Sequence, residues 1–146
     1  MTYHVRPALL TDIPDIVKDL VPAGLEDISR TNSHPVLRIL VDTFESDTYL
    51  IYTDDNKPVV LAGFQDGFLW MHMTNEIFKN PISFVKFIKR WLKSMSNQYP
   101  LMTSFIDIHN TALLKLAKHV GFKSINLVPD GTPSTYYVES VRLWPF

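Results

Sequence analysis

The stretch Asn110–Phe122 reads NTALLKLAKHVGF. Its asparagine closes an apolar run and can cap a helix, because the side-chain oxygen accepts an amide proton that the first turn leaves unpaired. Leu113, Leu116, Ala117 and Val120 then recur at intervals of three and four, which is one helical face. Gly121 stands where a helix needs a residue with positive φ to reverse the chain, and Phe122 returns an apolar side chain to the core. The preceding run, LMTSFIDI over residues 101–108, is apolar enough for a buried strand. Strand, short capped helix and glycine reversal make one unit of a mixed sheet.

Toward the N-terminus, Asn80 is a good cap and Pro81 suits a first helical position, where its missing N–H costs nothing. Ile82, Val85, Ile88, Leu92, Met95 and Tyr99 keep one face of the helix that follows. Before it, GFLWMHMT (67–74) reads as a strand after an Asp66-Gly67 turn, with Phe68, Trp70 and His72 on one face. Thr48–Thr53 and Pro58–Phe64 read as two more strands around an Asp-Asp-Asn turn. Residues 22–45 lack a decisive period except for a helix beginning after Pro35. TDIPDIVKDL (11–20) puts Ile13, Ile16, Val17 and Leu20 on one helical face, with Thr11 or Asp12 as cap, and YHVRPA (3–8) is a first strand stopped by Pro7. Beyond the quoted stretch, KSINLV (123–128) and TYYVESVRL (135–143) bracket the turn-rich PDGTPS (129–134) as a closing hairpin. The reading is an α/β (α+β) fold: one domain over 1–146, with a mixed, mostly antiparallel seven-stranded sheet and about four helices on both faces.

Composition bounds the function. With 146 residues, 46% of them apolar, including 9 Phe, 6 Tyr and 3 Trp, the chain can bury a core. Its 15 acidic and 14 basic residues nearly cancel, so no global field recruits nucleic acid or an anionic membrane. Cysteine is absent, which excludes disulfides, thiolate metal sites and a cysteine nucleophile. Five scattered histidines lack metal-ligand spacing, and no serine sits in a nucleophile elbow. The start MTYHVRPALLTDIPDI has neither the basic opening nor the apolar run of a signal peptide, so an intracellular, unsecreted protein is expected.

The element order and the Asn110–Phe122 frame resemble the GNAT-type N-acetyltransferases. The family shows Asn, Ala three residues on, Leu-Tyr at six and seven, and Gly-Phe at eleven and twelve. Asn110, Leu116, Gly121 and Phe122 fall on that frame, while Leu113 replaces the Ala and Ala117 replaces the Tyr. VRPALLTDIPDI (5–16) is similar to the family's first strand and helix, and DDNKPVVLAGF (54–64) to its second hairpin. Residues 58–122 also resemble degenerate acetyltransferase-like proteins of short-tailed bacteriophages, some of them internal virion proteins.

The resemblance implies acetyl-CoA as cofactor, with the strand backbone at Met71 and Met73 along its pantetheine arm. Thr74, Asn75 and Lys79 would lie near its phosphates, and Asn110 beside it. It implies His72 as general base on a primary amine, with solvent or Tyr99 left to serve as general acid. The family's phosphate loop is glycine-rich so that backbone N–H groups can approach a pyrophosphate at a helix N-terminus. The equivalent MTNEIFKNPIS (73–83) has no glycine and adds Glu76 beside Lys79, so cofactor binding is expected to be weak or lost. Two functions follow: a protein that binds a host or phage partner in the host cytoplasm or the virion, or an active acetyltransferase.

Each singled-out residue also has a plainer reading. His72 can be a core or rim histidine, Asp107 with His109 a strand-end contact, and Asn110 a cap alone. Lys86, Lys89, Arg90 and Lys93 form either a partner patch or a solvated face of the long helix. Phe84, Phe87 and Trp91 beside them are either core or an apolar strip for a partner or a second copy.

Overall fold

Strand alternation and helical capping resolve into fourteen elements in the computed structural model, which describes residues 2–30, 34–129 and 136–143. They are β1 (Tyr3–Pro7), a 3-10 turn (Leu10–Asp12), α1 (Ile13–Val17), α2 (Pro22–Arg30), α3 (Pro35–Glu45), β2 (Asp47–Thr53), β3 (Pro58–Gln65), β4 (Phe68–Met73), a second 3-10 turn (Asn75–Phe78), α4 (Pro81–Met95), β5 (Leu101–Asp107), α5 (Thr111–His119), β6 (Lys123–Pro129) and β7 (Tyr136–Leu143). Seven strands run in the order β1-β2-β3-β4-β5-β7-β6, mostly antiparallel, with β4 and β5 parallel at Phe68 and Thr103. The mixed α/β fold is the expected one, with α2 as a helix that residues 22–30 did not announce. Most of the connector 129–134 lies outside the described residues. By its contacts the chain divides into two compact units: Met1–Asp66 with Trp70–Phe84, and Gly67–Leu69 with Val85–Phe146.

In the first unit, paired residues on adjacent strands share a face. Leu50 lies opposite Leu61 and also opposite Arg6. On that face Leu50 and Leu61 pack with Ile13 and Ile16 of α1, Leu20, and Ile39 of α3. The other face carries Tyr3, whose ring meets Phe84 of α4 edge-on at 6.2 Å. Gly63 of β3 has no room for a side chain because the Trp70 ring lies against it. Asp66 and Gly67 both take positive φ, 50° and 84°, as the two-residue hairpin turn demands. Arg6 grips Asp12 with a two-pronged contact at 2.9 and 2.7 Å, and the same carboxylate accepts the Leu9 amide at 2.7 Å, closing the first 3-10 turn. Asp12 thus caps from inside the turn.

Two expected helical faces shift. The helix expected through Leu20 stops at Val17, because Leu20 instead bridges to Thr74 and the Val21 amide bonds to Met73. On α4 the buried face is Phe84, Ile88, Trp91 and Leu92, while Ile82 is 72% exposed. Phe84 and Trp91 are therefore core, while Lys86, Lys89, Arg90 and Lys93 are exposed. Phe84 packs edge-on against Tyr3, a contact that spacing alone left open.

The second unit is built on an unbroken β5–β7 register from Leu101 opposite Leu143 to Asp107 opposite Tyr137. Asn110 caps α5 by accepting the Leu113 amide at 3.2 Å. At the far end Gly121 takes φ 102°, the Phe122 amide reaches back to the Ala117 carbonyl at 2.9 Å, and the Gly121 amide to Lys118 at 3.3 Å. That pair of bonds satisfies carbonyls the last turn would otherwise strand. Arg142 of β7, 2% exposed, donates to the Val120 carbonyl at 3.0 Å and to Ser96 Oγ at 2.6 Å. Burial pushes its guanidinium below the usual range, but it stays a cation at the negative end of α5.

Gly121→Val forces a β-branched residue into that positive φ and should cost about 1–2 kcal/mol or more; an unchanged melting curve would remove the reversal argument. Asp12 gives a pH test. Burial raises its carboxyl, but the Arg6 fork and the Leu9 amide outweigh it and hold it below 3.8. Its contribution is present above the unfolded pKa and vanishes as pH falls through the lowered folded value. The stability gap between wild type and Asp12→Asn should therefore narrow steadily below about pH 4, as read by thermal melts across pH.

Candidate functional site

The residues expected to carry chemistry in the first unit gather at the end of β4 and in the turn after it. His72 alternates with Trp70 on one strand face, their rings 5.1 Å apart. Trp70 donates its indole N–H to Ser46 Oγ at 2.9 Å. His72 Nε2 lies 3.2 Å from Asp42 Oδ2 of α3, and Arg38 Nε approaches the same oxygen at 3.3 Å. The His72 side chain is 13% exposed and that of Asp42 22%. In the tautomer that carries its hydrogen on Nε2, that hydrogen is directed at Asp42 and Nδ1 is the proton acceptor of the ring. A histidine, a carboxylate that orients it and an arginine beside the carboxylate form a constellation able to hold and move one proton.

Past His72 the chain is tied to itself. In a strand, the N–H and C=O of one residue face one edge and those of its neighbours the other. The Thr74 amide bonds the Val59 carbonyl of β3 at 2.9 Å, so the Met73 carbonyl and Asn75 amide face away from β3. Both are taken: Met73 O accepts the Val21 amide and Asn75 N–H donates to Asp19 O, each at 3.0 Å. The Asn75 side chain adds a bond to Asp19 Oδ1 at 3.1 Å. Thr74 is fully buried; its hydroxyl donates to Pro58 O at 2.7 Å and accepts the Glu76 amide at 3.3 Å.

Glu76 is 8% exposed and carries the site's negative charge. Lys79 Nζ reaches its carboxylate at 2.8 Å and Lys57 Nζ at 4.0 Å. The hydrogen bond it donates to Glu76 raises the Lys79 ammonium, so this lysine is fully charged at neutral pH. Of the residues expected near a cofactor, Met73, Thr74, Asn75 and Lys79 thus all make bonds within the first unit. Met71 is half-buried on β4.

Tyr99 and Asn110 belong to the second unit. The Tyr99 hydroxyl lies 3.3 Å from Gln98 Nε2, just beyond α4. Asn110 is the α5 cap, and Asp107 accepts the His109 amide at 2.7 Å, a strand-end contact. Ala117, where the resemblance implies a tyrosine, is buried. Sequence reasoning missed Asp42 and Arg38, although their i, i+4 spacing on a helix was there to be read, and it missed the Asp19–Val21 pairing, which left no pattern. Among the described residues no three His, Asp or Glu side chains converge to hold a metal ion, and no helix is long and apolar enough to cross a membrane.

No protein-family model matches the chain and no curated protein matches it. Solved structures do. A protein assigned as a phosphinothricin N-acetyltransferase is similar with TM-score 0.70 and 13% identity, covering 97% of this chain and 98% of its own. A chimera of the spermidine N-acetyltransferase SpeG from Vibrio cholerae and hSSAT gives TM-score 0.72 at 8% identity, covering 98% and 96%. The apo-form of YjaB from Escherichia coli gives 0.64 at 11% identity, covering 97% of each chain. At such identities the likeness is one of fold: the mixed sheet is that of the GNAT-type N-acetyltransferases, as expected.

Thr74→Val keeps the shape of the side chain and removes its hydroxyl, leaving the Pro58 carbonyl and the Glu76 amide without that partner. The fold should lose about 1–3 kcal/mol, measured by denaturant titration; a loss under a few tenths would mean that Thr74 does not anchor this segment.

Proposed function

We propose that the chain is a bacteriophage GNAT-fold protein, a single domain, that acts mainly by binding a host or virion protein and whose acetyl-CoA site has degenerated. One observation carries this reading: the segment that would cradle the cofactor is bonded to its own chain. The Met73 carbonyl and Asn75 amide are paired with Val21 and Asp19, and the Glu76 amide with the Thr74 hydroxyl. A pyrophosphate site at a helix N-terminus needs several free amides and a positive field. Pro81 opens α4 without an amide, and Glu76 holds the carboxylate that Lys57 and Lys79 neutralise. The bacteriophage setting, in the host cytoplasm or inside the virion, rests on the likeness of residues 58–122 alone.

A second reading, an acetyl-CoA-dependent N-acetyltransferase, is favoured by the His72–Asp42 pair. In it His72 Nδ1 takes the proton from a primary amine, on a small molecule or a host protein, as the nitrogen attacks the thioester carbonyl. The departing thiolate is protonated by solvent or Tyr99, since Ala117 offers no hydroxyl. Asp42 keeps the ring oriented and balances the imidazolium. Spermidine, the acceptor named for one neighbour, carries such amines.

Calorimetric titration with acetyl-CoA and with coenzyme A separates the two. The expected dissociation constant is high micromolar or weaker, about 5–6 kcal/mol of binding free energy. Glu76→Gln should tighten whatever binding exists by releasing Lys57 and Lys79, whereas Lys79→Ala should weaken it. A wild-type constant in the low micromolar range would overturn the degenerate site and make the enzyme the better reading.

A further inference from the structure

Among the described residues, the largest exposed apolar surface on a single helix is on α3. Ile39 and Thr43 turn inward, Ile39 fully buried and Thr43 bonding the Ile39 carbonyl at 2.7 Å. On the opposite side Leu37, Leu40, Val41 and Phe44 are 59%, 38%, 41% and 81% exposed. Their spacing is i, i+3, i+4 and i+7, the stripe one helix offers another. A globular chain has no internal use for such a stripe, and exposed it costs solubility.

We propose that α3 packs against α3 of a second copy of this chain, antiparallel, about a two-fold axis level with Leu40 and Val41. This stands apart from the degenerate-site reading and survives its failure. Three features choose this occupant. The stripe is self-complementary: reversal about its midpoint sets Phe44, the largest side chain, against Leu37 of the second copy, and Leu40 against Val41. Its charged border is self-complementary in the same register. Arg38, Asp42 and Glu45 line one side of the stripe, and the two-fold brings that side of both copies together. Reversal puts Arg38 level with position 43 of the second copy, between its Asp42 and Glu45, so unlike charges meet. The antiparallel order also aligns opposite ends of the two helix dipoles.

Area sets the strength. The stripe presents on the order of 400 Å², the size at which an apolar patch marks association, and about half of what a standard interface takes from each partner. The dimer should be weak, with a dissociation constant on the order of 1–100 µM.

Sedimentation equilibrium of the full chain from about 1 to 300 µM tests this. Wild type should pass from monomer to dimer, while Leu40→Glu and Phe44→Glu, both at exposed positions, should stay monomeric with an unchanged circular dichroism spectrum. Lys89→Glu, on the exposed face of α4, should dimerise as wild type does. Because the chain has no cysteine, Leu37→Cys and Phe44→Cys variants can be mixed under oxidation, which keeps the test sharp should a charged variant misfold. Antiparallel packing predicts the mixed disulfide over either like pair. A wild-type monomer throughout, a Phe44→Glu variant that dimerises normally, or preference for like pairs would each overturn the proposal.

Discussion

Thr74 is the point on which the first unit closes. It has no solvent exposure, and its amide and hydroxyl bond two successive carbonyls at the start of β3. Its oxygen also accepts the amide of Glu76, which starts the 3-10 turn, and its backbone sits opposite Leu20. A buried hydroxyl without partners would cost more than the bonds return, so this side chain has one workable position. Fixing it fixes where β4 ends and where Asn75 meets Asp19. The turn that follows delivers the chain to Asn80, whose carbonyl takes the Phe84 amide as α4 begins. Phe84, in the first turn of α4, then packs against Tyr3.

The second unit has a comparable constraint in α5, and most of it was legible. Asn110 and Gly121 do in the structure what their chemistry announces: one accepts an orphan amide, the other takes a φ that other residues avoid. Local rules of this kind depend on a few neighbouring residues, so the sequence displays them directly. The Asp66-Gly67 turn and the strand alternation of β4 were readable for the same reason. Arg142 was not. Its partners Val120 and Ser96 are 22 and 46 residues away, and nothing in VRLW separates an arginine aimed inward from one on an edge. Helix α2 was missed because residues 22–30 mix Gly24 and Asp27 into a short segment, so propensity and period oppose each other.

The candidate site was legible in residue types and opaque in connections. His72 could be placed on a strand face by alternation, but its partner Asp42 is 30 residues earlier on another element. The sign of Glu76 was readable, whereas its burial and its sharing of Lys57 and Lys79 were not. This difference changes the electrostatics. An exposed glutamate would only repel an approaching phosphate across solvent, while a nearly buried one also draws two lysines to itself and removes them from any anion. The Asp19–Val21 pairing was least visible of all, since it uses backbone groups that every residue carries.

The Asn110–Phe122 frame can therefore persist without catalysis, and the structure shows why. Each residue that falls on the frame serves the fold. Asn110 caps, Leu116 is buried, Gly121 reverses the chain, and Phe122 is buried after bonding back to Ala117. A fold that abandoned acetyl transfer would still need all four. Of the two positions where the frame departs, Leu113 exchanges one apolar residue for another, whereas Ala117 is one where a phenol would serve chemistry, and there the side chain is a methyl group on a buried helical face. The four residues that match serve packing, and the one residue whose role would be proton transfer is missing. The frame is thus evidence for the fold, and evidence about the reaction has to come from groups that packing does not require, of which His72 Nδ1 is the clearest in the first unit.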